Sequence, residues 1–286
     1  MKKIVTFLLA ALLALTSFSL VGCGNNNIKI GVPNDTTNEA RALLLLEANG
    51  IIKLREGAGI TATKLDIVEN PYNVEIEEIE AAALPSHLAS LDYAVINSNY
   101  ALGANLNPKQ DALLIESETS EAASAYANIV AVKSGNENTP KIKALVAALK
   151  SQVVKDFIAE TYSDAVVSVV DEPTDGYDPT VDYAALSGQT IKVAASPTPH
   201  AEILNKAKEI LAEKNITLTV QEFTDYVQPN NVVNDGGCDA NYFQHLPYLT
   251  DFNSEKNMNL VSVGAIHFEP LGLYGGKQKT LDAFKK

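Results

Sequence analysis

Apolar and polar positions alternate along this chain in two rhythms, short β-type runs and longer helical stretches. Residues 28–32, IKIGV, form a short apolar run closed by Pro33 and Asn34, which predicts a buried strand. Thr36 and Glu39 follow at capping-box spacing, and Leu43 to Leu46 supply an apolar body, so a helix is expected directly after that strand. Further on, residues 67–71 end a short strand in a turn, 74–83 carry a strand into a turn or helix, and 92–97 make a strand closing on Ser98-Asn99-Tyr100-Ala101. Residues 126–132 read as a strand, 140–161 as one long amphipathic helix and 165–170 as an apolar run. Another strand opens at 191–195, and Thr198-Pro199-His200 starts a helix with proline at its first position. Val220 and Phe223 end a strand; Pro229 to Val233 fits one or two helical turns, Asp235-Gly236-Gly237 stops them, and 239–243 form a second short strand. Strands and helices in this alternation predict an α/β fold.

Two stretches break the rhythm. At the start, Met1-Lys2-Lys3 precedes an apolar run over 4–20 and then Leu20-Val21-Gly22-Cys23. A charged start, an apolar centre and a small residue before cysteine predict a lipoprotein signal peptide over 1–22, acylation of Cys23 by palmitate-class chains, and a polar tether over 23–27. A spanning helix is the alternative, because the run approaches the roughly 20 residues such a helix needs. The second break is 171–190, DEPTDGYDPTVDYAALSGQT, whose Pro, Gly and repeated Asp predict a linker.

Charge narrows the partners. The chain holds 22 basic and 35 acidic side chains, a formal −13, and loss of Lys2 and Lys3 with the leader takes it to −15. No basic stripe is available to neutralise phosphates, so no nucleic-acid partner is expected. With Cys23 acylated, Cys238 stands alone, which excludes an intrachain disulfide and a thiolate metal cluster; a small buried hydrophobe is its expected role.

Candidate chemistry gathers at the predicted strand ends, where open α/β sheets bind ligands. Arg41, one of two arginines, lies in the second turn of the first helix, and its planar fork suits a carboxylate; a surface ion pair is the plain alternative. Asn70 and Asn97 close two strands, and each suits either amino-acid recognition or a side chain bonding its own turn. Tyr226, Asn241, Phe243 and His245 combine apolar bodies with polar tips, the lining that a small amphiphilic solute needs, although ordinary core and turn roles also account for them. His267 and Glu269 alternate on one strand, a pairing that is more often structural than metal-ligating, so neither metal nor cofactor is expected. Neither a phosphate-cradling glycine loop nor a serine nucleophile elbow occurs, and no catalytic residue is assigned.

FTDYVQPN (223–230) and DANYFQHLPYL (239–249) resemble the substrate-binding lipoproteins of bacterial methionine ABC importers, the MetQ-type family. PNDTTNEARALLLL (33–46), VENP (68–71) and VINSNYA (95–101) resemble it too, with Ala40 where members commonly have glycine. The resemblance implies a two-lobed, type II periplasmic-binding-protein fold, a transporter permease as partner, and L-methionine or a related amino acid or short peptide in the cleft. Arg41 would take the carboxylate, Asn70 and Asn97 the amine, and Tyr226, Phe243 and His245 the side chain. IKVAASPTPHAEIL (191–204) resembles the family's mature amino terminus, whereas 126–170 resembles its carboxyl-terminal end. The halves thus stand in reversed order, which implies a circular permutation, with lobe crossings near Ile115 and Pro270. One lobe would combine 28–115 with 271–286, and the other would span 116–270, including the linker. The implied location is the extracytoplasmic face of the cell membrane, on the periplasmic side if the host has an outer membrane. An extracellular enzyme or surface interaction protein on the same fold, or the product of a non-functional recombined gene, remains the alternative.

Overall fold

The computed structural model describes residues 27–117 and 125–285, so the leader and Cys23 read from the sequence lie outside the described residues. Two mixed sheets organise the chain. The first has five strands in the order β4 (Val74–Ile79), β1 (Ile28–Pro33), β5 (Tyr93–Ile96), β13 (Gly272–Gly275) and β6 (Ala112–Ile115). β4, β1 and β5 run parallel, while β13 pairs antiparallel with both β5 and β6. A two-stranded ribbon, β2 (Lys53–Leu54) with β3 (Ile67–Glu69), lies outside this sheet.

The second sheet has six strands in the order β10 (Thr217–Glu222), β9 (Thr190–Ala195), β11 (Ala240–His245), β7 (Asn128–Lys133), β12 (Leu260–Phe268) and β8 (Val167–Ser168). β10, β9 and β11 are parallel; β7, β12 and β8 attach antiparallel. The chain passes from the first sheet to the second between β6 and β7, and returns between β12 and β13.

Burial explains these choices. Parallel strands are covered on both faces and so read as continuous apolar runs, as β5 does with all four residues buried. β4 sits at an edge and alternates instead, VEIEEI, with Glu77 and Glu78 paired to Lys29 and Lys64, a charged edge that discourages further strand pairing. The helix Thr36–Ala48 packs Leu43 and Leu46 onto Ile30, Val32 and Val95 of the first sheet. On the second sheet, Leu145, Ile158, Leu204 and Leu211 from three helices cover Val130, Val132, Val193 and Leu218.

Several local expectations change. The first helix is capped by Asp35, whose carboxylate accepts from the Asn38 N–H, rather than by a Thr36–Glu39 box; Glu39 instead accepts from the Lys64 N–H. The stretch 140–161 is two helices, Pro140–Leu149 and Gln152–Tyr162, because the Ser151 side chain accepts from the Val154 N–H and caps a new start. Pro199 lies in a wide turn, Pro197–Ala201, before the regular helix Glu202–Ala212. The segment 171–190 is packed rather than loose: it contains the short helix Tyr183–Leu186, and Tyr177, Val181 and Leu186 lie against the core of the second lobe. Asp-rich composition hid four apolar anchors spaced along it, Tyr183 being the fourth.

Candidate functional site

The carboxyl ends of the parallel strands from both sheets converge on one cavity. β1 leads to Asn38 and Arg41, β5 to Asn97, Ser98 and Asn99, and β11 ends on Phe243, Gln244 and His245. Asn128, Tyr226, Tyr248 and Glu269 complete the lining. The mouth is closed by contacts from one lobe to the other. Tyr226 donates to Asn99 Oδ1 at 2.7 Å, Tyr100 donates to the Thr224 carbonyl at 3.1 Å, and the Tyr100 and Tyr226 rings lie 4.9 Å apart.

Arg41 is buried, with an exposure of 4%, and it is engaged. Its Nε donates to both Glu116 oxygens, its Nη2 to Glu116 and, at 2.8 Å, to the Glu269 carbonyl, and the guanidinium lies 4.5 Å from the Tyr126 ring centre. Glu116 and Glu269 directly follow β6 and β12, so one side chain ties together both places where the chain changes sheets. Among the described residues these bonds use Nε and Nη2 and leave Nη1 without a hydrogen-bond partner.

Asn97 reaches the cavity through a chain of amides whose orientation follows from charge. The Asp35 carboxylate can only accept, so it takes the Asn38 Nδ2 hydrogens at 2.9 and 3.0 Å. Asn38 Oδ1 therefore faces outward and accepts from Asn97 Nδ2 at 2.8 Å. This leaves Asn97 Oδ1 buried with no partner among the described residues, a state that costs about 1–3 kcal/mol unless a donor arrives. Burial pushes the Asp35 carboxyl up, against the hydrogen bonds that favour its charged form.

The apolar wall is Tyr226, Phe243 and Tyr248, with ring centres about 6 Å apart. His245 stands edge-on to Tyr126 at 5.0 Å, its Nδ1 buried and unpartnered among the described residues, and burial together with Arg41 keeps its imidazole neutral. Behind the wall, Asn230, Asn241 and Gln244 bond one another at 2.7–3.0 Å. Asn241 is thus committed to this network and to the Pro229 carbonyl at 3.2 Å, not to the cavity.

Of the residues singled out in the sequence, Arg41, Asn97, Tyr226, Phe243 and His245 meet at this cavity and Asn70 does not. Asn70 is exposed in the turn before β4, where its amide donates to the Val74 carbonyl and accepts from the Val74 N–H, both at 2.8 Å. Turn chemistry accounts for it entirely. Glu116, Asn38, Asn99, Asn128, Gln244 and Tyr248 were not singled out. Asn38, Asn99, Gln244 and Tyr248 lie inside the quoted motifs, but Glu116 had no local signal, since its partner is 75 residues away. His267 and Glu269 are paired as a structural reading suggests, with Nε2 and Oε1 2.7 Å apart, yet Glu269 also faces the cavity.

The sequence profile of the NlpA lipoprotein family matches residues 24–170 and 191–286. Membrane lipoprotein TpN32 of Treponema pallidum is 44% identical over 139 residues, 49% of this chain and 50% of its own. The D-methionine-binding lipoprotein MetQ of Escherichia coli is 38% identical over 141 residues, 49% of this chain and 51% of its own. The chain thus spans about half the length of the curated relatives it matches. Among solved structures, a lipoprotein from Ruminococcus gnavus is 57% identical over 49% of this chain and 58% of its own, with a TM-score of 0.49.

Proposed function

This chain belongs to the NlpA lipoprotein family, and from that premise we propose that it is the substrate-binding component of an ABC importer, taking methionine or a closely related amino acid between its lobes. The observation that carries this reading is the unpaired Asn97 Oδ1, buried beside Arg41 in a cavity with an aromatic wall. A free amino acid supplies what the lining lacks: a carboxylate for Arg41 Nη1, and an ammonium for Asn97 Oδ1 and the Glu269 carboxylate. Tyr226, Phe243, His245 and Tyr248 then surround the side chain. A thioether gains about 0.3–1.5 kcal/mol at aromatic edges, enough to prefer methionine over an aliphatic chain of similar size without excluding the latter. The cross-cleft bonds of Tyr226 and Tyr100 support a closed, ligand-holding state reached by hinge motion.

Isothermal titration with L-methionine, D-methionine, other free amino acids and short peptides tests this. A one-to-one binding heat with methionine among the tightest is expected. No heat for any amino acid would end the reading.

Two further parts of the proposal concern the chain's order and its anchor. We read the order as circularly permuted, with 28–115 and 271–286 forming one lobe and 116–270 the other. Supporting this, the family profile matches two segments while each curated relative aligns over only about half of both chains. Phe284, near the end of the chain, packs against Tyr93 and Tyr72 in the same core as Ile28, as a continuous family segment requires. The protein is anchored through acylated Cys23 on the extracytoplasmic face of the membrane. Among the described residues no helix is long and apolar enough to cross a membrane. A lipid-bearing Cys23 peptide in mass spectra of membrane extracts is expected, and an uncleaved Met1 terminus would reject the anchor.

A further inference from the structure

Beneath the cavity, Glu269 Oε1 lies 2.7 Å from His267 Nε2 and 3.3 Å from His200 Nε2, and all three residues are buried. Hydrogen-bond logic fixes where the protons sit. The Tyr242 hydroxyl meets His267 Nδ1; as a buried phenol it is a donor, so Nδ1 accepts and Nε2 carries the hydrogen offered to Glu269. His200 Nε2 faces two acceptors, Asn128 Oδ1 at 2.9 Å and Glu269 Oε1, so it too carries the hydrogen, leaving its Nδ1 unpartnered.

We propose that His267 and His200 are positioning residues which hold the Glu269 carboxylate ionised and fixed at the cavity floor, so that the site selects ligands with a free cationic amine over their N-acylated counterparts. This rests on the reading of the cavity as an amino-acid site. Charge supports it. Both imidazoles are neutral, Arg41 is matched by Glu116, and Asp35 lies at the base of the Asn38–Asn97 chain. With Asp35 and Glu269 both ionised, the set around the cavity carries surplus negative charge, which a cationic group on the ligand relieves. Other titratable groups facing this cluster are Tyr126, Tyr162, Tyr226, Tyr242 and His245, and burial holds all five neutral. Burial pushes the Glu269 carboxyl up, and His200 and then the Arg41 guanidinium oppose that rise.

The competing occupant is a divalent cation, since one ligand atom from each of His200, His267 and Glu269 lies within 4.8 Å of the others. Calorimetry on the purified protein with L-methionine and N-acetyl-L-methionine, between about pH 5 and 8, separates these readings. The unmodified protein should prefer methionine by at least about tenfold, the loss expected for one hydrogen bond to a charged group. His267→Leu should collapse that preference and move the acid-side loss of affinity toward neutral pH. His267→Gln, whose amide offers a donor in place of Nε2–H, should restore both. An unchanged pH profile in His267→Leu and His200→Leu would overturn the proposal, as would one-to-one uptake of Zn²⁺ by the unmodified protein that is lost in His267→Leu. Infrared difference spectra against Glu269→Gln report the carboxyl directly, with no ligand and no folded Leu variant needed. A protonated Glu269 band at neutral pH refutes the inference. An ionised band without methionine binding would instead refute the cavity's assignment.

Discussion

Arg41 makes two separable contributions, and paired substitutions distinguish them. Its side chain and that of Glu116 have exposures of only 4% and 10%. Arg41→Ala strands a nearly buried carboxylate, and breaking a buried pair in this way costs about 3–5 kcal/mol of stability. Loss of ligand affinity in that variant alone would prove little. Arg41→Met combined with Glu116→Gln removes both charges at similar volume, and replacing a buried pair by groups of like size is often close to neutral. Stability should largely return, although the Glu269 carbonyl loses the Nη2 donor at 2.8 Å, worth about 1 kcal/mol. Methionine affinity should not return, because the proposed Nη1 contact with the ligand carboxylate is removed. A hydrogen bond to a charged group is worth about 1.5–3 kcal/mol, a loss of roughly 10- to 150-fold in Kd. Urea unfolding gives the first quantity and isothermal titration the second. Wild-type affinity in the double variant would remove Arg41 from the ligand site.

Tyr226→Phe deletes the bond to Asn99 across the mouth and should speed methionine release several-fold in stopped-flow, about 0.5–1.5 kcal/mol; an unchanged rate would mean that the mouth does not gate release. Asn70→Ala should cost about 1 kcal/mol in urea unfolding through the lost turn bonds while leaving methionine affinity untouched, and a weakened Kd would return Asn70 to the site. Burial depresses the imidazoles of His200 and His267 to about 3, from an ordinary 6.5. The unfolded chain therefore binds more protons between those values, and stability present above about pH 6.5 should fall as the pH drops toward 3. Glu269, Asp35 and Glu39, pushed up by burial, work in the opposite sense, losing stability as pH rises through their folded values, but they start from a lower ordinary range, and the depressed His245 joins the two imidazoles. A urea midpoint that holds steady or rises on acidification from pH 7 to about 5 would contradict this balance.

Local pattern carried the elements because strands and helices here bury continuous faces. β5 and β11 are buried along their whole length, and sequence marks such runs plainly. It marked Arg41, Asn97 and Phe243 for the same reason: each stands at a strand end or within a recognisable block. Asn70 misled because an amide at a strand end suits ligand recognition and turn closure equally, and only tertiary placement decides between them. Glu116 was invisible because its role arises from a contact across 75 residues, and no spacing rule reaches that far. The packed segment 171–190 was missed because Asp, Pro and Gly dominate its composition, while Tyr177, Val181 and Leu186, the residues that fix it, are thinly spaced.

The proposed reversed chain order is compatible with an intact cavity because of where the lining residues stand. Each lies at or just beyond a strand end or beside a lobe crossing: Asn38 and Arg41 after β1, Asn97 to Asn99 after β5, His245 at the end of β11, Glu269 after β12. Their positions depend on sheet pairing, which is set by register and burial, and not on which strand is made first. The joining segment attaches to β8 and β9, which both belong to the second sheet, so it bears no tension from the hinge. Permutation is tolerated where new ends fall in exposed segments. A rearranged chain in which 191–286 precedes 28–170, without 171–190, should therefore bind methionine with a Kd within a few-fold of the original. It should lose modest stability, since Leu186, Val181 and Tyr177 no longer cover the second core. A rearranged protein that folds, by circular dichroism and a cooperative urea transition, yet fails to bind methionine would show that the cavity depends on the present chain order, and the permutation reading would fall.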